Sequence, residues 1–432
     1  MLAYRGGRAL TLGRFLGDVE QLAARLGPTR HVLNACIDRY HFAVGFAACA
    51  TSARVSLLPS THTPAVIREL RAFAPDAICL TDSADCAIEL PRLHYPSVAA
   101  APSAAPVPQV PAEQLTAYVF TSGSTGTPVP YRKSWGPLVR CVRVESERLG
   151  LDGARAWCVV ATVPPQHQYG LESSVLMCLA GGHALCAERP FYPADIVATL
   201  AGVPRPRALV TTPVHLRALL ALGSALPPTD LIVSATAPLT QQLASEAERS
   251  FGTPLLEIYG STETGEIAAR RPTEGASWRL WPGVRFSERD GATWAEGGHI
   301  EQPTRMCDVL ELTGPEHFLL HGRISDLVNI AGKRSSLAYL NHQLNSIEGV
   351  VDGAFFHCAA GGHTEVARVA ACVVAPGLDA ARLLRELRQR IDPVFLPRPL
   401  LLVSQLPRNA TGKLPQEALQ ALAAAHARTS AA

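Results

Sequence analysis

Short, largely apolar runs at Arg54–Leu58, Ala77–Leu80, Trp157–Thr162, Ala208–Thr211 and Leu231–Val233 are separated by helix-like stretches such as Pro64–Ala74 and Pro213–Leu222. Each run is too short for a stable helix and lacks the polar alternation of a half-exposed strand, so each reads as a buried strand. Strands alternating with helices favour α/β architecture with mostly parallel sheets, because a parallel pair needs a crossover between its members. Thr11 to Gly27 reads as a further helix: Leu12, Phe15, Leu16, Val19, Leu22 and Leu26 recur at three- and four-residue steps, with Thr11 as N-cap and Gly27 as stop. The Pro/Ala segment from Ser97 to Pro108 reads as a surface linker leading to a strand at Leu115–Phe120. From Trp278 to Leu320 the pattern changes to short strands and turns. After Gly322 a smaller region holds a strand near Val369–Val374 and a helix from about Asp379 to Ile391, with Leu383, Leu384, Leu387 and Ile391 on one face.

At 432 residues the chain is too long for one core, and domains of roughly 100–200 residues predict two to four units. Lys and Arg total 39 against 37 Asp and Glu, a net charge of +2, which argues against nucleic acid or a polybasic membrane anchor as partner. A hydrophobic content of 47% excludes a disordered chain. The amino-terminal residues show no apolar signal run, and Phe42 to Ala50 is about half of what a membrane span needs. The 11 cysteines lie singly, without a Cys-x-x-Cys pair, and read as small buried residues of a reducing compartment. The expectation is a cytoplasmic protein with no membrane span.

Four segments carry candidate chemistry. Tyr118-Val119-Phe120 runs into Thr121-Ser122-Gly123-Ser124-Thr125-Gly126, a loop whose glycines let backbone N–H groups approach an anion and whose hydroxyls add donors, as a polyphosphate requires. It is not a Gly-x-x-x-x-Gly-Lys-Ser/Thr loop, since no Lys follows the second glycine; an exposed Ser/Gly turn is its lesser reading. Glu257-Ile258-Tyr259-Gly260-Ser261-Thr262-Glu263-Thr264-Gly265 reads as a strand entering a tight turn, with a stacking face in Tyr259, a hydroxyl in Thr262 and an oxygen ligand for Mg²⁺ in Glu263. An N-capped helix start is its other reading. Asp308 and Arg323, ending successive strands, would clamp a ribose diol or else form a surface ion pair. Lys413 follows the turn-prone Asn409-Ala410-Thr411-Gly412; an isolated lysine is ordinarily a solvated side chain.

In order and spacing these segments resemble the signature motifs of the adenylate-forming superfamily, which includes acyl- and aryl-CoA synthetases, peptide-synthetase adenylation domains and luciferases. Ser234-Ala235-Thr236-Ala237-Pro238-Leu239 is similar to the family's adenine and acyl-pocket segment. Pro164-Pro165-Gln166-His167-Gln168-Tyr169-Gly170-Leu171 is similar to the stretch carrying an aromatic or histidine gate over the acyl site. The resemblance implies ATP and Mg²⁺ as cofactors. Thr121, Ser122, Gly123, Ser124, Thr125 and Gly126 would cradle the phosphates. Ala235, Tyr259 and Gly260 would line the adenine site, and Asp308 with Arg323 would hold the ribose. Thr262 would contact the α-phosphate, Glu263 would hold the metal and Lys413 would bridge carboxylate and α-phosphate. It implies a large domain of mixed α/β subdomains plus a β-rich part at 1–323 and a small mobile α+β lid at 324–432. The hinge would fall at Ser325 or Asp326, and 329–334, with Gly332, would face an incoming thiol. Two departures stand out: Val129 follows Pro128 where the family continues with lysine, the nearest being Lys133, and Ala235-Thr236 replace common glycines.

His167, Tyr169, Gly170, Ser234 and Ala235 would contact the acid, His167 also as a catalytic gate or else as a support of its own loop. The polar groups of His167-Gln168-Tyr169-Gly170-Leu171-Glu172-Ser173-Ser174 beside its aromatic ring suit a flat hydroxylated aryl acid, hydroxybenzoate- or cinnamate-like, better than a long alkyl chain. The segment is similar to the ligases of aryl-polyene and xanthomonadin pigment biosynthesis, which load an acyl carrier protein. Free coenzyme A as acceptor, and a non-catalytic nucleotide-binding relative, are the alternatives. The arginines Arg382, Arg385, Arg388 and Arg390 would offer an acidic carrier a basic patch, or else line a solvated helix face.

Overall fold

The computed structural model describes residues 1–98, 100–122, 128–151, 155–323, 327–330, 333–357, 368–409 and 414–429. The chain forms two compact units, one of residues 1–275 and 279–304, the other of 276–278 and 305–432.

The first unit is built on two sheets. In one, six strands run in the order Arg92–His94, Ile78–Thr81, His31–Asn34, Val55–Leu58, Leu115–Ser122 and Pro128–Ser134. The first five are parallel and the last is antiparallel. In the other, eight strands of this unit run in the order Gly265–Arg270, Leu255–Ser261, Leu231–Ser234, Arg207–Thr211, Cys158–Ala161, Ala184–Cys186, Ala3–Arg5 and Arg8–Leu10. The six from Leu255–Ser261 to Ala3–Arg5 are parallel, with antiparallel strands outside them. The expected α/β class with mostly parallel sheets is what the chain adopts. Strand Cys158–Ala161 is buried throughout, as a parallel strand covered on both faces must be. The buried faces of Pro193–Ala201, Pro213–Leu220 and Gln241–Phe251 pack onto these strands through Ile196, Leu200, Leu216, Leu219, Leu243 and Phe251.

The helix expected from Thr11 covers Leu12–Ala23, with the Thr11 hydroxyl accepting from the Arg14 amide. The Pro/Ala segment is no free linker: it lies along this helix. The Ala100 amide donates to the Asp18 carboxylate (3.0 Å), and the Ser103 amide to the Gly13 carbonyl (2.8 Å). A Cβ on Gly17 would meet the Ala101 carbonyl oxygen at 2.1 Å, so a small residue there is what lets the segment dock.

The second unit is α+β. Two hairpins, Asp308–Leu312 with His317–Arg323 and Leu327–Ile330 with Lys333–Ser336, precede the helix Leu337–Asn345. A sheet of Asp352–His357, Val369–Val374 and Leu400–Leu402 packs against that helix and against Ala380–Arg390, through Leu340, Leu344, Leu383 and Leu387. Asp379 caps the latter helix, and Arg382, Arg385, Arg388 and Arg390 are exposed on it. Arg408 forms a two-pronged ion pair with Asp352, at 2.8 Å from each carboxylate oxygen. Among the described residues no helix is long and apolar enough to cross a membrane. The ten described cysteines are unbridged and eight are buried, as small apolar packing residues would be.

Candidate active site

The Glu257–Gly265 segment is a strand, Leu255–Ser261, entering a three-residue turn and returning antiparallel as Gly265–Arg270, rather than a helix start. Gly260 makes the bend possible: a Cβ there would sit 2.3 Å from the Gly265 carbonyl oxygen. Inside the turn the Ser261 amide donates to Thr264 Oγ1 (3.2 Å) and the Thr264 amide to Ser261 Oγ (3.2 Å). These hydroxyls satisfy the turn's backbone and leave Glu263 exposed at its tip, with Thr262 and Tyr259 half-buried. Glu257, at the start of the motif, is a structural group. Its buried carboxylate accepts from Arg270 Nε (2.7 Å) and from the Leu239 amide (3.0 Å), tying the 235–239 segment to this strand.

The 235–239 segment follows the neighbouring parallel strand, Leu231–Ser234. Ser234 is fully buried at the strand's carboxyl end, and its hydroxyl has no hydrogen-bond partner among the described residues. Open α/β sheets bind ligands at the carboxyl ends of their strands, and buried hydroxyls are normally paired. Thr236 has φ +79°, in the left-handed region that a β-branched residue enters only at a cost. The departure from glycine noted in the sequence thus falls where glycine would be easiest.

His167 is half-buried at the N-cap of the short helix Gln168–Leu171. Tyr169 is buried, with its hydroxyl within hydrogen-bond reach of the Thr211 (3.2 Å) and Val233 (3.1 Å) carbonyls, so it anchors this helix beneath two strand ends. A Cβ on Gly170 would meet the Pro164 carbonyl oxygen at 2.0 Å. A π-helical turn, Glu172–Leu176, continues from here.

Beneath the Ser261–Gly265 turn lies a group of buried carboxyl groups and one lysine; Glu172, Ser173 and Ser174, which read in the sequence as polar groups suiting a hydroxylated acid, are buried, with Glu172 and Ser173 committed to this group. Glu145, Glu172 and Glu266 are each at most 3% exposed. Ser173 Oγ donates to Glu266 Oε1 (2.8 Å), and the Glu266 amide donates to Glu172 Oε2 (3.2 Å). Burial pushes the Glu145 carboxyl up to about 8, and burial with mutual repulsion raises Glu266 well above the carboxylate range. Burial raises Glu172 also, opposed by the charge of Lys133. Lys133 is itself buried; desolvation lowers its pKa, opposed by Glu172, and its ammonium donates to the Thr262 carbonyl at 2.5 Å. Lys133, the lysine nearest the position where the family carries one, therefore points at the backbone of the second motif. Next to it, Ser134 donates through its amide (3.0 Å) and hydroxyl (2.8 Å) to the Glu301 carboxylate. Glu145 and Glu172 are 27 residues apart, on different elements, so no local pattern announced them; the one signal was a glutamate at 172 set between Leu171 and the apolar Val175-Leu176.

Thr121 and Ser122 end the strand Leu115–Ser122, opposite Val129 and Pro128 of the return strand. Gly123, Ser124, Thr125 and Gly126 lie outside the described residues, as do Lys413, Ser325, Asp326 and Gly332. In the second unit Asp308 opens its strand rather than ending it, and stands directly opposite Arg323, the last residue of the antiparallel strand that follows. Lys333, in the stretch read as facing a thiol, pairs with Asp392 at 2.5 Å. Among the described residues no group of three or more His, Cys, Asp or Glu side chains could hold a metal. Glu263 is then a single exposed carboxylate, a hard oxygen donor of the kind that holds Mg²⁺ together with substrate phosphates and water.

A family model described as AMP-binding enzyme matches residues 3–285. A 4-coumarate–CoA ligase of Rhodobacter capsulatus is 31% identical over 238 residues, 55% of this chain and 59% of that protein, so the match spans about three fifths of that relative's length. A 3,4-dihydroxybenzoate–[aryl-carrier protein] ligase of Bacillus anthracis is 21% identical over 72% of this chain and 74% of its own. Among solved structures, o-succinylbenzoate CoA synthetase from Bacillus subtilis in complex with its acyl-adenylate intermediate superposes with a TM-score of 0.81. At 18% identity over 97% of this chain and 95% of that one, this likeness shows a shared fold. With its model matched over more than half of the residues, the chain belongs to the AMP-binding enzyme family.

Proposed function

We propose that the protein activates an aryl carboxylic acid, hydroxybenzoate- or cinnamate-like, with ATP as the acyl-adenylate and passes the acyl group to the phosphopantetheine thiol of an acyl carrier protein. The observation that carries the reading is the pair of neighbouring parallel strand ends. One presents Thr262 and Glu263 on a tight turn; the other presents the buried Ser234 hydroxyl, which has no partner among the described residues.

In this reading Thr121, Ser122, Gly123, Ser124, Thr125 and Gly126 cradle the phosphates, Ala235, Tyr259 and Gly260 line the adenine site, and Asp308 with Arg323 holds the ribose. Glu263 holds Mg²⁺, which when bound neutralises charge on the phosphates. Thr262 donates to the α-phosphate. Lys413 brings its ammonium between carboxylate and α-phosphate, two anions that otherwise repel, and holds them in line. His167 gates the acid site, with Tyr169, Gly170, Ser234 and Ala235 around the ring. Residues 324–432 act as the lid that carries Lys413.

Free coenzyme A as acceptor is the second reading, favoured by the names of the coumarate and o-succinylbenzoate relatives; the aryl-carrier-protein ligase favours the first. The test supplies ATP, Mg²⁺ and a panel of aryl acids with either coenzyme A or holo carrier protein, following pyrophosphate release and thioester mass. Efficient thioester formation with coenzyme A alone would overturn the carrier-protein assignment, and no acid-dependent pyrophosphate release would overturn ligation altogether.

A further inference from the structure

Two buried side chains hold the backbone of the 262–264 turn from below. Lys133 Nζ donates to the Thr262 carbonyl at 2.5 Å. His299 Nε2 lies 3.0 Å from the Thr264 carbonyl; a carbonyl only accepts, so the ring carries its proton on Nε2 there. The two side chains are 7% and 6% exposed. The two carbonyls they hold flank Glu263, whose own side chain is exposed. Neither donor belongs to the strands that form the turn: Lys133 comes from Pro128–Ser134, and His299 follows Ala292–Gly297. A buried ammonium is expensive even when paired, and an apolar side chain of similar length would fill the same space at lower cost. Packing alone therefore does not account for a lysine here. What an ammonium adds is a strong donor, aimed at one peptide group of the motif.

We propose that Lys133 and His299 are positioning residues: together they clamp the 262–264 turn at two points, so that the Thr262 hydroxyl and the Glu263 carboxylate are presented in fixed register to a metal-bound nucleoside triphosphate. The inference rests on the nucleotide-binding part of the reading above and not on the identity of the acid or thiol. Lys133 stands on the return strand of the hairpin that flanks residues 123–127, so the clamp also ties that hairpin to the turn. A change in either is transmitted to the other through one hydrogen bond.

The test uses the full chain with Lys133→Met, which keeps length and removes the donor, His299→Leu, which removes the second donor, and His299→Gln, whose amide offers an N–H at similar reach. MgATP binding is titrated calorimetrically, the KM values for ATP and for the acid are measured separately, and melting confirms that each variant is folded. The expected result is MgATP affinity lowered about tenfold in Lys133→Met and in His299→Leu, as loss of a hydrogen bond to a charged or buried group predicts. The KM for the acid should stay within about twofold, and His299→Gln should recover most of the loss. Folded variants that bind MgATP like the wild type would overturn the clamp, as would a His299→Gln protein as impaired as His299→Leu. If Lys133→Met does not fold, the two His299 variants decide the matter. A wild-type protein that binds MgATP but releases no pyrophosphate with any acid would sink the ligase reading while the titrations still judge the clamp; one that does not bind MgATP would overturn the clamp itself.

Discussion

Glu172 Oε2 accepts the backbone N–H of Glu266 at 3.2 Å, and this contact sits at the centre of three almost fully buried carboxyl groups. Burial puts the Glu145 carboxyl at about 8 in the folded state, against an ordinary value of 4.5, and Glu172 and Glu266 are raised as well. The native protein therefore keeps protons that the unfolded chain gives up. Its stability from this source is complete below about pH 4.5 and declines as pH rises towards 8. The melting temperature should fall across that window, and Glu145→Gln should flatten the fall and leave the variant the more stable protein at pH 8. Parallel melting curves for the two proteins would refute the assignment.

Tyr169→Phe removes a hydroxyl held by two strand-end carbonyls. Its stability should drop by about 1–2 kcal/mol in urea unfolding, with the ranking of accepted acids unchanged, because the hydroxyl is committed to the backbone. A selective loss of hydroxylated acids would instead place that hydroxyl on the substrate.

Gly260→Ala sets a methyl 2.3 Å from the Gly265 carbonyl oxygen, with the Glu266 Cα close behind at 2.6 Å. Backbone must move, and overpacking of this kind costs about 1–3 kcal/mol. The damage should reach nucleotide use, as a raised KM for ATP in steady-state kinetics. A variant with wild-type melting and wild-type KM would show that the hairpin opens freely.

Thr236→Gly relieves a left-handed backbone angle in a β-branched residue, a strain of about 1–3 kcal/mol. The chain's greater freedom when unfolded offsets part of that gain, so the expected outcome is a modestly raised melting temperature. The control is Ala235→Gly next door, which should lower it, since Ala235 is buried and its φ is not positive. Equal losses at both positions would contradict this account.

Lys413→Ala should reduce acid-dependent exchange of pyrophosphate into ATP by about 10²–10³, the usual effect of removing one preorganised charge donor. Undiminished exchange would remove Lys413 from the chemistry.

The parallel frame was legible because buried strands write themselves as short apolar runs. Val369–Val374 and Pro64–Phe73 fall within a residue of where periodicity put them. The turn at 262–264 was legible for a similar reason, since it depends on neighbours in sequence; Asp308 was read at the wrong end of its strand, because its place there is set by pairing with the strand that follows. Lys133 and His299 converge on one turn from two distant elements, Glu145 meets Glu266 from a third, and nothing near any of them in sequence marks it as buried. Helix Arg39–Thr51 also escaped notice: it is buried on nearly every side, so it has no polar face to give it a period. The docking of the 97–108 segment escaped for the opposite reason, because its Pro and Ala residues say nothing about Gly13 and Gly17 across from them.

The ion pair of Arg408 with Asp352 has a mechanical consequence. Leu414 packs against the Leu401, Leu406 and Leu419 cluster of the same unit, so the few residues between Arg408 and Leu414 begin and end on one solid body. Arg408 and Leu414 thus fasten the chain beyond Leu402 to one sheet at two places, so that stretch cannot peel away without breaking both.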